Sequence, residues 1–241
     1  MIKFFRKIRQ QLLSEGNTGK YLKYAVGEIV LVVIGILIAL QINNWNEQRT
    51  QHAHYLNILG IIQSDMQTDT QSIGKLLREF EQREHAFQLS MQDTISKTEF
   101  TGCEECPDLL LFATLFVLQK RGYEQFRNYN SNIFDRQDSL NLKIGSFYTV
   151  NDEYIEALVN TTRTLSLETY SIMSGSKPWF RDWIRGMDSD RFYDLIANDP
   201  FYKNRVAQYY TFVRGFYSVL RSVRQEETAL LELIDARIQN Q

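Results

Sequence analysis

Residues Tyr24 to Ile42, YAVGEIVLVVIGILIALQI, constrain this chain more than any other stretch. From Ile29 to Leu40 there is no polar side chain, and the residues on either side are mostly apolar. A helix of about twenty residues spans about 30 Å, the hydrocarbon thickness of a bilayer. A soluble core helix would carry polar residues every third or fourth position, and this segment does not. The expected element is a transmembrane helix over 22–43.

Charge gives the span a direction. Residues 1–43 carry Lys3, Arg6, Lys7, Arg9, Lys20 and Lys23 against Glu15 and Glu28, a net +4. The other 198 residues carry 21 basic and 27 acidic groups, a net −6, with only Arg49 between the span and Lys75. The positive-inside rule then predicts a cytoplasmic N-terminus and a domain on the far side, which in a bacterium is the periplasm. The run exits into Gln41-Ile42-Asn43-Asn44-Trp45 with no small-x-small site, which favours an uncleaved signal-anchor over a cleaved signal peptide. Tyr24 and Trp45 are expected as interfacial anchors. Before the span, residues 1–20 read as a basic amphipathic cytoplasmic head. Phe5, Ile8 and Leu12 recur at helical spacing among the cations, a pattern that suits the anionic inner leaflet or serves as a bare topology signal.

Residues 44–241 read as an all-α periplasmic domain, a bundle of four or more helices. Tyr55, Leu59, Ile62, Met66, Ile73, Leu76, Phe80 and Phe87 follow steps of four and three, with Asp69 and Arg83 filling two slots. Gly60 and Gly74 make a break or kink in that helix an expectation. Val206, Tyr209, Val213, Phe216, Leu220, Val223, Leu230, Ile234 and Ile238 mark a second seam after Pro200. Together they suggest an antiparallel pair. Between them, helices are expected over 109–118, 139–167 and 190–197, and each of Pro107, Pro178 and Pro200 sits where a helix could begin. The aromatic row Tyr202, Tyr209, Tyr210, Phe212, Phe216, Tyr217 reads as core and bundle contacts ahead of a ligand pocket. The domain is acidic and lacks basic interleaving, which argues against nucleic acid.

Cys103 and Cys106, in TGCEECPD, are the only cysteines. In an oxidising compartment they can close a local disulfide; at a helix start they can also act as a redox pair. The acidic residues between them disfavour a thiolate, so a brace between helices is the leading expectation. His52, His54 and His85 show no spacing that would complete a zinc site. No catalytic constellation, cofactor or metal is expected: there is no phosphate loop, no G-x-S-x-G and no H-E-x-x-H, and the carboxylates are read as a solvated surface.

Glu28 stands apart, because a carboxylate within an apolar span is costly. Glu28, Gly35 and Ala39 fall near one line along a helix, and small residues there let backbones approach. A transmembrane packing face and a carboxylate that reaches back to the cytoplasmic edge are the two readings.

The first 49 residues, MIKFFRKIRQQLLSEGNTGKYLKYAVGEIVLVVIGILIALQINNWNEQR, resemble the start shared by a family of uncharacterised single-pass membrane proteins of Bacteroidota. The stretch GYEQFRNYNSNIFDRQDSLNLKIGSFYTVNDEY is similar to that family's middle pattern, although Asn130-Ser131-Asn132-Ile133 lacks the Gly common in its turn. The resemblance implies an inner-membrane helical protein and no activity. It also makes Asp93-Thr94-Ile95 and Asp138-Ser139-Leu140 candidates for glycosylation. The expected role is a membrane-anchored interaction or scaffold protein, not an enzyme. Its expected partners are the lipid bilayer and either itself or another envelope protein. A ligand sensor acting through a membrane partner at Glu28, and a thiol-redox protein, are the alternatives.

Overall fold

The computed structural model describes residues 18–110, 115–129, 137–186 and 189–240; the amphipathic head expected at 1–20 lies outside them up to Asn17, as does the turn at 130–133. Among the described residues the regular secondary structure is all helical, with no strand. The helices are α1 (Thr18–Ser90), α2 (Lys97–Thr101), α3 (Arg121–Asn128), α4 (Ser139–Ser176), α5 (Phe180–Ile184), α6 (Ser189–Asn198) and α7 (Pro200–Gln239), with a short 3-10 turn at Cys106–Asp108. The chain divides into two compact units, one running to His54 and the other from Tyr55 onward.

The first unit is the N-terminal part of α1. Among the described residues, its side chains from Ile29 to Leu40 are exposed throughout. This is the one helix among the described residues long and apolar enough to cross a membrane.

The second unit is a bundle built on three long helices. The seam Tyr55, Leu59, Ile62, Met66, Ile73, Phe80 and Phe87 is buried, and so are Val206, Tyr209, Val213, Phe216, Leu220, Val223, Leu230 and Ile234. The two faces meet antiparallel: Gln63 donates to Asp235, Phe80 stacks on Tyr217 at 4.3 Å, Phe87 lies 5.2 Å from Tyr210, and the Tyr210 hydroxyl donates to Glu84 at 3.0 Å. Helix α4 also runs antiparallel to α7. Arg237 reaches Asp138 at 2.8 Å, Asn151 donates to Glu226 at 3.1 Å, and Arg205 reaches Glu168 at 3.3 Å. Each start has a local cause. Asp138 caps α4 through the N–H groups of Leu140 and Asn141, and Asp199 caps α7 ahead of Pro200.

Four expectations are corrected here. Helix α1 runs unbroken through Gly60 and Gly74, because seam residues such as Leu59, Ile62 and Ile73 are fully buried around them and outweigh the cost of about 1 kcal/mol per glycine. The helix expected over 109–118 is absent from the residues described there: Leu109 and Leu110 lie buried in a turn after Pro107, 111–114 lie outside the described residues, and 115–118 is not helical. There Phe116 and Leu118 are buried while Leu115 and Val117 face out, the alternation of an extended chain. Pro178 lies in the turn before α5 and not at its first residue. The long middle helix also outruns its expected end at 167, continuing to Ser176.

At the Ser90 end of the bundle, α2, the 3-10 turn, α5 and α6 pack into an aromatic cap. Trp183 stacks on Phe192 at 4.7 Å, and Phe100 lies 5.4 Å from Tyr193, whose hydroxyl donates to the Ile95 carbonyl at 2.9 Å.

Candidate functional site

The site residues singled out from sequence fall in two separate places, and a third group of polar residues lies in the bundle core. In the apolar part of α1, the Glu28 side chain is half-exposed and Gly35 and Ala39 are exposed on the helix surface. A shallow groove of about 330 Å³ runs along Ala25, Glu28, Ile29, Val32 and Val33. Tyr24 and Trp45 are both exposed, and the Arg49 guanidinium lies 6.0 Å from the Trp45 ring.

Cys103 and Cys106 sit in the aromatic cap, with sulfurs 2.12 Å apart and Cα atoms 5.4 Å apart, at disulfide distance. Cys106 is fully buried at the first position of the 3-10 turn. The turn is held from α5, where the Trp183 indole N–H donates to the Pro107 carbonyl at 2.8 Å. Nearby, Asp93 and Thr94 lie in an exposed bend, whereas Asp138 and Ser139 form the start of α4.

Asp65, Asp69 and Glu227 are all buried in the bundle core, which overturns the solvated-surface reading for Asp65 and Glu227, while Asp69 fills the slot of the α1 seam where its spacing put it. Asp65 and Asp69 are four residues apart and so share one face of α1. The segment 115–122 crosses that face. Gln119 donates its backbone N–H to Asp69 at 2.8 Å, Gly122 donates its own to Asp65 at 2.8 Å, and Arg121 reaches Asp65 with two bonds at 2.7 and 3.0 Å. Lys120, the residue before α3, makes no side-chain cap. Asp65 therefore caps α3 from another helix, placing negative charge at its positive end. The approach is close enough that a Cβ at Gly122 would lie 2.5 Å from the Ile62 backbone nitrogen.

Glu227 enters from α7 and Tyr148 from α4, completing a layer across the three long helices. Both Glu227 carboxyl oxygens and the Tyr148 hydroxyl are enclosed with no hydrogen-bond partner. The Tyr148 ring is held by stacking on Tyr123 at 4.4 Å. Burial raises the Glu227 carboxyl to about 9, with the Asp69 charge adding to it. Burial also raises Asp69 to about 7, opposed by the Gln119 N–H and reinforced by the Asp65 charge. The Tyr148 hydroxyl is pushed well above its ordinary value by burial and by the charges of Asp65, Asp69 and Glu227. What this arrangement can do chemically is hold protons. Among the described residues no group of three His, Cys, Asp or Glu side chains is disposed to hold a metal ion.

Two signals in the sequence point to this layer. Asp69 fills a slot of the α1 seam. On α7, the stripe jumps from Val223 to Leu230, and the residue at the missing slot, four after one and three before the other, is Glu227.

Comparison with known proteins places residues 28–106 in similarity to a family of unknown function, DUF6090. That stretch runs from Glu28 in the span, along the rest of α1, to Cys106. No curated protein and no solved structure matches the chain significantly.

Proposed function

We propose that the protein is a membrane-tethered interaction protein, held by one span at Tyr24–Ile42 in the bacterial inner membrane. Its helical domain lies on the periplasmic side and binds another envelope protein or a second copy of the chain. The observation that carries this reading is the exposure of the span: its large apolar side chains from Ile29 to Leu40 are 46 to 64 % exposed, while the bundle buries its own seams. Apolar surface of that extent is covered by lipid or by another span. The basic residues ahead of the span support the orientation. Glu28, Gly35 and Ala39 supply a face along which a second span can approach closely.

Crosslinking in native membranes followed by affinity capture tests the reading, with a reporter at the C-terminus to fix the side. The expected result is a protein that stays with membranes after alkaline washing, a reporter active only outside the cytoplasm, and a discrete crosslinked species that weakens in Glu28→Gln. A domain recovered in the soluble fraction, or a reporter active in the cytoplasm, overturns it. A crosslinking pattern unchanged by Glu28→Gln removes the intramembrane face from the proposal and leaves the domain as the contact.

A further inference from the structure

The layer of Asp69, Tyr148 and Glu227 holds more polar groups than it has partners. Asp65 is fully engaged, since Arg121 and the Gly122 N–H account for both of its oxygens. Asp69 has the Gln119 N–H on one oxygen. Glu227 has nothing on either oxygen, and the Tyr148 hydroxyl, 1 % exposed at the residue level, has nothing either. The groups facing the layer are Asp65 and Asp69 from α1, Arg121 and Tyr123 from α3, Tyr148 from α4, and Glu227 itself from α7. Two flanking groups are turned elsewhere: Glu226 accepts from Asn151, and the Arg224 guanidinium lies against Gly74. Arg121, the cation that pairs with this set, spends its bonds on Asp65. A carboxylate enclosed without a counter-charge or a hydrogen bond is strongly disfavoured, and the ordinary remedy is to keep its proton.

We propose that Asp69 and Glu227, with the Tyr148 hydroxyl as third polar member, form a buried proton-binding site whose occupancy governs how firmly the 115–122 segment and α7 stay seated on α1. Asp69 joins the layer to the segment as the acceptor for Gln119; that bond favours its carboxylate, but burial of the charge outweighs it. Both carboxyls are held above their ordinary values, so the folded domain binds these protons more tightly than the unfolded chain does. The stability they contribute is complete below the ordinary carboxylate range. It is lost as pH rises, through about 7 for Asp69 and about 9 for Glu227. The domain is thus expected to loosen with alkalinity. This inference does not depend on the membrane reading above, since it concerns only the bundle.

The test uses the full chain in detergent micelles. Infrared spectra across about pH 5 to 10 report the carbonyl band of neutral carboxylic acids, and urea midpoints are measured over the same range. In the wild type, a neutral-acid band is expected to persist at about pH 8 and to disappear as pH passes about 9, while the urea midpoint falls over the same interval. In Glu227→Gln the band at about pH 8 should be gone and the midpoint should stay flat there. In Asp69→Asn the fall below about pH 7 should become shallower, leaving the part that Glu227 carries. If Glu227→Gln fails to fold, the wild-type spectrum alone decides. Absence of a neutral-acid band at about pH 8 overturns the proposal, as does a midpoint that rises with added calcium or sodium at fixed pH, which would mean that a cation and not a proton fills the layer.

Discussion

Asp65 on α1 accepts the backbone N–H of Gly122, 57 residues later in the chain, at 2.8 Å, and by doing so caps a helix to which it does not belong. Helix ends leave their first N–H groups without partners, and a carboxylate there satisfies a donor and meets the positive end of the dipole. Here the same carboxylate also takes the Arg121 guanidinium. The pair is lopsided: the Asp65 side chain is fully buried and that of Arg121 is 68 % exposed. Asp65→Ala should therefore cost about 3 kcal/mol, since it strands a buried N–H and empties a buried site. Arg121→Ala should cost less, about 1–2 kcal/mol, because Asp65 loses its counter-charge but keeps the Gly122 N–H, and water can enter the space the exposed guanidinium leaves. Urea unfolding of the two variants in parallel checks the ratio.

The same crossing makes opposite predictions for two glycines on or against α1. A Cβ at Gly122 would lie 2.5 Å from the Ile62 nitrogen and 2.8 Å from its Cα, backbone atoms that cannot step aside. Gly122→Ala should destabilise the domain by about 3 kcal/mol, as overpacking does when only the backbone can yield. At Gly60 a Cβ meets nothing within 4 Å, and the residue lies inside a helix. Gly60→Ala should therefore stabilise by about 0.5–1 kcal/mol. Thermal midpoints that shift in opposite directions are the expected readout; a neutral Gly122→Ala would mean that α3 does not sit this close to α1.

The two glycines also show where the sequence is legible and where it is not. The seams at Tyr55–Phe87 and Val206–Ile234 were readable because helical periodicity records which face is buried, and their pairing followed. The break expected at Gly60 did not, because propensity is a local cost and the fully buried neighbours Leu59 and Ile62 decide the matter. Residues 115–118 are all apolar, so no alternation shows in the sequence even though Phe116 and Leu118 are buried and Leu115 and Val117 are not. A uniform run reads the same as a buried helix. The acidic layer was missed for a different reason: a carboxylate is taken as exposed unless its partner is known. Gly122, which brings Asp65 its partner, lies far along the chain and carries no motif.

Asp138 joins a cap and an ion pair in one side chain. It accepts from the N–H groups of Leu140 and Asn141 at 2.9 and 3.3 Å and from Arg237 at 2.8 Å, tying the start of α4 to the end of α7. Partial burial pushes its carboxyl up, but the hydrogen bonds and the Arg237 charge outweigh that and hold it below the ordinary value of 3.8. A carboxyl depressed in this way contributes stability that is present above its unfolded value and is lost as pH falls through its folded one. Asp138→Ala should cost about 2 kcal/mol at neutral pH. The difference from wild type should shrink on acidification below about pH 4. Asp138→Asn, which keeps a capping oxygen and loses the charge, should fall between them. This acid-side loss is opposite in sign to the alkaline loss expected from Asp69 and Glu227, so a pH series of urea midpoints separates the two.

Cys103 and Cys106 close a loop of only four residues, and the constraint that such a loop places on the unfolded chain amounts to about 2 kcal/mol. The turn they form is also held without them, by the Trp183 indole on the Pro107 carbonyl and the stack of that ring on Phe192. Replacing both cysteines by Ala should therefore lower the thermal midpoint by about 6 °C and leave the helical spectrum unchanged. A mild reductant should produce the same shift in the wild type and none in the double variant. Trp183→Phe removes the indole donor and should add a further loss of about 1 kcal/mol in either background, because the Pro107 carbonyl then lacks its partner. Should the double cysteine variant keep its stability and its helical spectrum while a cellular phenotype of the gene disappears, the brace reading fails, and thiol chemistry at this cap takes its place.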